Sequence, residues 1–97
     1  MDKPNTATST VSRESALAHR RELRAEFYAL PPEALIDRDT TAAVRYVERQ
    51  SLELEAIKGG GIPYRRIGRR VFYRKADVLA WMESQSAIVH NTAQVQA

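Results

Sequence analysis

The basic segment of residues 58–75, KGGGIPYRRIGRRVFYRK, holds seven of the fifteen Lys and Arg residues and no acidic residue. Its basic residues are interleaved with aromatic and aliphatic ones, whereas the rest of the chain carries eight Lys or Arg against twelve Asp or Glu. A cationic stretch on a near-neutral body is the electrostatic footprint of a protein that binds a polyanion. The competing interpretation is a solvated edge hairpin whose charges prevent pairing between sheets.

The remaining residue types do not suggest catalysis or metal binding. The chain has no cysteine, and His19 and His90 are far apart in sequence, so neither a disulfide nor a zinc finger is predicted. No paired carboxylates or nucleophile–base set is visible, and no Walker Lys-Ser/Thr pair follows the three glycines at 59–61. We therefore predict a protein that is not an enzyme and that needs no cofactor, metal or small-molecule ligand.

The length of 97 residues and the hydrophobic fraction of 43% suit one compact domain. The amino terminus MDKPNTATST has no signal-peptide core, and no apolar run approaches the roughly 20 residues that a membrane helix needs. These features predict a cytoplasmic, nucleoid-associated protein that has no membrane partner.

The amino-terminal third is predicted to hold one helix. Residues 1–11 are polar and are predicted to form a disordered arm. A helix is predicted over residues 12–31, where Ser12 is a plausible N-cap and Pro31-Pro32 ends it. The helix could contact DNA through His19, Arg20, Arg21 and Arg24, or pack through Leu17, Leu23, Phe27 and Leu30. Packing on the domain or self-association is the favoured interpretation.

Residues 33–85 are predicted to position the basic segment. Asp37 or Asp39 can cap a short helix, and a second helix can begin at Gln50 or Ser51 and end at the glycine triplet. The runs IPYRRI and RVFY then predict a two-stranded hairpin that turns at residues 68–70. A last helix, KADVLAWMES, is predicted to place Trp81 in the core, and residues 86–97 are predicted to be a flexible tail.

This order of helix, turn, helix, hairpin and helix predicts a mainly α fold with a small β-hairpin, the winged helix-turn-helix. In such a domain the second helix enters the major groove of DNA, and the hairpin, or wing, lies along the backbone or minor groove. The alternating apolar residues would hold the ribbon against the core and leave the guanidinium groups free to meet phosphates.

The segment SLELEAIKGGGIPYRRIGRRVFYRKADVLAWMES resembles the small winged-helix proteins of the excisionase and AlpA-like group, relatives of the DNA-binding domain of mercury-resistance-type (MerR) regulators. The similarity covers roughly residues 35–84 and includes an Ala-Ala pair in the first helix, at Ala42 and Ala43. The pattern of that group is matched at Ser51, Leu52, Gly59, Gly61, Pro63, Tyr64, Ile67, Gly68, Arg69, Arg70, Val71, Tyr73, Asp77, Trp81 and Met82.

The resemblance implies a sequence-specific protein for double-stranded DNA, either a transcriptional regulator or an excisionase-type recombination directionality factor from a mobile element or phage. A small terminase-like packaging component is an alternative. Because one small domain has a short footprint, a homodimer or multimer on DNA is expected. The residues predicted to contact DNA are Arg49, Gln50, Ser51, Lys58, Tyr64, Arg65, Arg66, Arg69, Arg70, Arg74 and Lys75.

One departure from the pattern lies in the predicted recognition helix. Members of the group often carry Trp-Arg or other basic residues where this chain has Glu55 and Ala56, and Glu53 lies nearby. Carboxylates repel phosphate, although a glutamate can accept a hydrogen bond from cytosine. The departure favours a second hypothesis, a protein-interaction module in which Glu48, Glu53 and Glu55 meet a partner.

Overall fold

The computed structural model describes residues 5–89, and the side chains of residues 12–89. Within this range the fold is mainly α with a small antiparallel sheet, so the predicted fold class is confirmed. The elements in chain order are α1 (Asn5–Ala29), β1 (Leu35–Ile36), α2 (Arg38–Arg45), α3 (Arg49–Lys58), β2 (Arg65–Ile67), β3 (Arg70–Arg74) and α4 (Lys75–Gln85).

The start of α2 is fixed by the side chain of Asp37. Its Oδ1 accepts a hydrogen bond from the backbone N–H of Thr40 at 2.8 Å, which satisfies a donor that the first helical turn leaves unpaired. The hydroxyl of the fully buried Thr41 donates to the Asp37 carbonyl at 2.8 Å. Of the two aspartates predicted as caps, Asp37 is therefore the N-cap and Asp39 lies in the first turn.

The turn between α2 and α3 is short. Tyr46 ends α2 in the left-handed conformation, with a φ of 58°, and its backbone N–H donates to the carbonyl of Ala43. After Val47 and Glu48 the chain enters α3, one residue ahead of the predicted start. Gly59, with a φ of 84°, ends α3 as the glycine triplet predicted.

The sheet has three strands in the order β1-β3-β2. The predicted hairpin is β2–β3, in which Ile67 faces Arg70 across a two-residue turn, and Gly68 accommodates a φ of 62° there. The strand β1 extends the predicted two-stranded ribbon, pairing Ile36 with Tyr73. Two residues are too few to show a period of two, so the sequence gives no strand signal at this position.

The core draws side chains from α1, β1, α2, α3, β3 and α4 and from the loop that follows α3. Trp81 and Met82 are half-buried and pack against it, in accord with the predicted apolar face of the last helix. The buried cluster consists of Phe27, Ile36, Ala42, Val44, Leu52, Ile62, Tyr73 and Val78.

The helix α1 is longer than predicted. It begins at Asn5, ahead of Ser12, so the polar stretch that was predicted to be disordered overlaps helical residues. Pro4 is the only strong helix breaker in residues 1–11, and a polar composition alone does not end a helix. After α4, residues 86–89 have no regular secondary structure, and the rest of the predicted tail lies outside the described residues, as do residues 1–4.

Candidate nucleic-acid interface

The helix α3 has a buried face and an exposed face. Leu52 is fully buried, and Glu55 and Ala56 are half-buried beside it. On the other side Gln50, Leu54 and Ile57 are exposed, and the spacing of four and three residues places them on one strip of the helix. The predicted contact residues Arg49 and Lys58 are exposed at the two ends of α3.

The wing presents four of its five arginines to solvent. Of the six basic residues predicted to contact phosphate from the wing, Arg65, Arg66, Arg69 and Arg70 are exposed, whereas Arg74 is half-buried and Lys75 is buried. The guanidinium of Arg70 lies 5.0 Å from the centre of the Phe72 ring, which orients it along the ribbon. Tyr73, buried on the same strand, anchors β3 to the core. The predicted anchoring to the core therefore holds for β3, whereas β2 is exposed along its whole length, including Ile67.

The turn of the wing lies next to the amino-terminal ends of α2 and α3. A shallow cavity of about 140 Å³ marks this junction, and Arg49, Arg69 and Arg70 are brought together around it. The other lining residues are Asp37, Arg38, Asp39 and Val71. The chain therefore joins helix-borne and wing-borne cations on one surface, although they lie some twenty residues apart in sequence.

Arg49 is held by two carboxylates. Its Nη1–H donates to Asp39 Oδ1 at 3.2 Å, and its Nε–H donates to Glu53 Oε2 at 3.2 Å. These hydrogen bonds, the one to Glu53 first, raise the pKa of Arg49 above its usual value. The guanidinium thus stays charged, and contact with a phosphate would require it to exchange one of these carboxylate partners.

The carboxylate of Glu55 is part of the scaffold. It forms a two-pronged ion pair with Arg45, with N–O distances of 2.7 and 2.9 Å, and this pair joins α3 to α2. The Arg45 guanidinium in turn lies 4.1 Å from the centre of the Trp81 ring, and the indole N–H of Trp81 donates to the carbonyl of Gly60 at 3.2 Å. The departure from the family pattern at Glu55 therefore has a structural role.

Gly61 lies against the same glutamate. A Cβ added to Gly61 would come within 2.9 Å of the Glu55 Cβ, a distance that real structures do not tolerate. The sequence predicts the helix end but not this close approach, because Arg45, Glu55, Gly61 and Trp81 share no local pattern.

The second acidic residue of α3, Glu53, also has basic neighbours. Besides its bond to Arg49, it lies 3.9 Å from the guanidinium of Arg38, whose side chain is mostly buried. Glu55, at the departure from the family pattern, and Glu53 beside it are thus both paired with arginines of the same domain.

Lys75, predicted to contact DNA, is placed inside the domain. Its side chain is only 8% exposed, and its Nζ donates to the carbonyls of Leu30 at 2.6 Å and Tyr28 at 3.2 Å. The ammonium also lies 5.4 Å from the centre of the Phe27 ring. The basic run of the sequence continues through Lys75, but the chain enters α4 at this residue, so its side chain leaves the ribbon.

The remaining predicted contact residues lie closer to the scaffold. Arg74 is half-buried, pairs with Leu35 of β1, and donates to Asp77 Oδ1 at 3.1 Å. Tyr64, 41% exposed, packs edge-on against Tyr73 with ring centres 6.2 Å apart. Ser51 is half-buried in the first turn of α3. The cluster that the structure leaves accessible consists of Arg49, Gln50, Lys58, Tyr64, Arg65, Arg66, Arg69 and Arg70.

No helix within residues 5–89 is both long enough and apolar enough to cross a membrane. Over the same range, no group of three or more His, Cys, Asp or Glu side chains is arranged to hold a metal ion.

Comparison with known proteins gives one match. Residues 43–86 match the model of a family described as a helix-turn-helix domain. Comparisons with curated proteins and with solved structures gave no match. The matched range begins within α2 and contains α3, both strands of the wing and α4, so it holds every residue of the accessible cluster. The match supports a DNA-binding helix-turn-helix domain over residues 43–86, in line with the excisionase and AlpA-like group that the sequence resembles.

Proposed function

We propose that this protein binds duplex DNA sequence-specifically, with α3 in the major groove and the wing along the sugar–phosphate backbone. The observation that carries the proposal is the exposure of Arg65, Arg66, Arg69 and Arg70 on one hairpin beside α3. Within residues 12–89, no carboxylate lies within ion-pair distance of these four guanidinium groups. They are therefore available to phosphate.

The dimensions of α3 suit this role. Its ten residues span about 15 Å. An α-helix with its side chains is about 10–12 Å across, which fits the major groove of about 12 Å. Its short length limits direct contact to a few base pairs. Specific binding by one such domain is weak, so we propose that the protein occupies DNA as a dimer or on repeated sites.

The process that this binding serves is either regulation of transcription or direction of recombination. Both roles need the same protein–DNA contacts and differ in where the binding site lies. Selecting bound sequences from random duplexes and mapping the enriched motif distinguishes them, since a regulator's motif lies at promoters and a directionality factor's lies at an attachment site.

The hypothesis of a protein-interaction module is less well supported. Its basis is the acidic character of Glu48, Glu53 and Glu55; Glu53 and Glu55 have arginine partners within the domain, and only Glu48 is exposed without one among the described residues. With these carboxylates largely neutralised, α3 does not present the strong negative charge that the hypothesis requires.

A salt series tests the proposed contacts. If about five phosphates are neutralised, a plot of log affinity against log salt concentration falls with a slope near −4.5 on mixed duplex DNA. Changing Arg69 and Arg70 to Ala removes two of these contacts, so the slope should become shallower by about 1.8. The matched control changes Arg13 and Arg21, two exposed arginines of α1, to Ala.

The control variant carries the same change in net charge away from the wing, so it should keep the slope of the unmodified protein. The proposal is overturned by a slope near zero in the unmodified protein, or by identical behaviour of the wing variant and the α1 variant.

A further inference from the structure

We infer that α3 recognises A·T base pairs, by apolar contact of Leu54 and Ile57 with thymine methyl groups and by hydrogen bonds from Gln50 to adenine. The inference rests on the proposed function, because it assigns the base preference of the same helix. It names three specificity-determining residues, of which Leu54 and Ile57 were not among the residues predicted to contact DNA.

Gln50, Leu54 and Ile57 lie along the exposed side of α3. Leu54 is 47% exposed and Ile57 is 81% exposed, and neither is part of the buried core. Together with Gln50 they occupy positions i, i+4 and i+7, which form one line along a helix. This line lies opposite Leu52, the residue that anchors α3 in the core. It is thus the face that a groove would receive.

Duplex DNA is the partner that suits this strip best. A single exposed apolar residue needs no explanation, but two adjacent ones on a helix flanked by cations do. Arg49 and Lys58 lie at the ends of α3, and the wing adds four exposed arginines. A partner that buries the strip must also meet this positive charge. Duplex DNA provides both features, with phosphates along the rims of the major groove and base edges on its floor.

Among the four bases, only thymine presents a methyl group in the major groove, and apolar side chains are its usual partners. A glutamine can bond to N6 and N7 of adenine with two hydrogen bonds. The strip therefore carries the two kinds of group that recognise an A·T pair.

The strip lacks the groups that recognise guanine. Guanine is read by Arg or Lys, and none occupies the positions of Gln50, Leu54 or Ile57. Arg49 lies at the start of α3 and is held by Asp39 and Glu53, and Lys58 lies at the last residue of α3, beyond the centre of the strip, where it is proposed to contact a phosphate. Glu53 could accept from cytosine, but its carboxylate is held by Arg49 and lies near Arg38. The preference should therefore be for A·T pairs under the centre of α3.

The test removes the methyl group from DNA and leaves its charge and base pairing unchanged. A site selected from random duplexes is prepared with 2′-deoxyuridine in place of each thymidine in turn. For the unmodified protein, loss of one contacted methyl should weaken binding about fourfold, the equivalent of one buried methylene. In the variant with Leu54→Ala and Ile57→Ala, the same replacement should leave the binding affinity nearly unchanged.

Two further variants complete the design. Gln50→Ala should weaken binding to the selected site by about five- to 150-fold and relax the requirement for adenine at one position. Leu79→Ala removes an exposed leucine from α4 and serves as the matched control, since uracil should weaken its binding as much as it weakens that of the unmodified protein. Because the uracil series is measured on the unmodified protein, it gives an answer even where a variant folds poorly.

Each outcome has a definite consequence. If the protein binds its site with the expected salt dependence but uracil has no effect at any position, the inference is wrong and the proposed function stands. If the protein binds no duplex at low salt, both are wrong. If the Leu54→Ala and Ile57→Ala changes abolish self-association in sedimentation experiments and leave the uracil effect intact, the strip is an interface between two copies of the chain, and the inference is overturned.

Discussion

The arginines of the wing and the basic residues of the scaffold have the same chemistry but opposite surroundings. In the wing, Arg65, Arg66, Arg69 and Arg70 extend into solvent. In the scaffold, the side chains of four basic residues donate hydrogen bonds to carbonyl and carboxylate groups of the same chain. These residues are Arg20, Arg24, Arg45 and Lys75. A basic side chain is thus a stronger candidate for binding DNA where the fold leaves it exposed and without an internal partner than where, as at Arg49, it must first exchange one.

The scaffold cations lie where elements meet. Arg20 donates to the carbonyls of Val47 at 2.6 Å and Ala42 at 3.2 Å, and Arg24 donates to the carbonyl of Ala43 at 2.9 Å. These carbonyls lie at or just beyond the carboxyl-terminal half of α2, where the helix dipole favours positive charge. The helix α1 therefore docks on the helix-turn-helix through arginines as well as through the buried Phe27.

The largest loss of stability is expected on substitution of Arg45, a scaffold arginine. Changing Arg45 to Ala leaves the Glu55 carboxylate without its partner and removes the contact with Trp81. Breaking a buried pair costs about 3–5 kcal/mol, and because Glu55 is 31% exposed we expect about 2–3 kcal/mol here. Urea unfolding followed by circular dichroism measures this loss in the free energy of unfolding.

Two variants control the Arg45 experiment. Arg45→Lys keeps the charge but cannot form both hydrogen bonds, so it should recover only part of the lost stability. Arg70→Ala removes an exposed arginine and should change the free energy of unfolding by less than about 0.5 kcal/mol. Equal losses at Arg45 and Arg70 would remove the distinction between scaffold and wing.

The next effect in size is expected at the contact between α1 and α2. Changing Arg20 and Arg24 to Ala should lower the free energy of unfolding by about 2 kcal/mol, because three hydrogen bonds to helix-end carbonyls are lost. Changing Arg13 and Arg21 to Ala, at exposed positions of α1, should leave stability nearly unchanged. A variant with Arg20→Ala and Arg24→Ala that kept its stability but bound DNA more weakly would instead support the alternative DNA contact of α1.

The sequence was informative where a signal is local. The capping aspartate and the glycine triplet fix helix boundaries that the structure has within a residue of the predicted positions, and the proline pair ends α1 at Ala29, two residues earlier than predicted. The exposure of Arg49, Gln50 and Lys58 at the ends of α3 could also be predicted, since it needs only the helix to be placed correctly.

Features that depend on tertiary contacts could not be predicted in the same way. The pairing of β1 with β3, the bond from Arg45 to Glu55 and the burial of Lys75 each join residues with no common pattern. From the sequence alone, the charge of Glu55 belongs to the surface of α3, although the fold pairs it with Arg45. Net charge along a sequence does not reveal which charges remain after the elements have packed.

The smallest effect distinguishes Lys75 from Lys58, two lysines of the same basic segment. Lys75→Met keeps the aliphatic stem beside Phe27 but removes the donor to the carbonyls of Leu30 and Tyr28. Because water can reach these carbonyls at the exposed residues, the loss should be about 1 kcal/mol in the free energy of unfolding.

Lys58→Met is the counterpart, because Lys58 is exposed at the end of α3. It should leave stability unchanged, weaken binding to all duplexes alike, and make the salt slope shallower by about 0.9, the contribution of one phosphate. Lys75→Met should not alter that slope once binding is measured at a temperature where the variant is fully folded. If the Lys75 variant changed the salt slope and the Lys58 variant did not, the basic segment would contact DNA through Lys75 and not through Lys58.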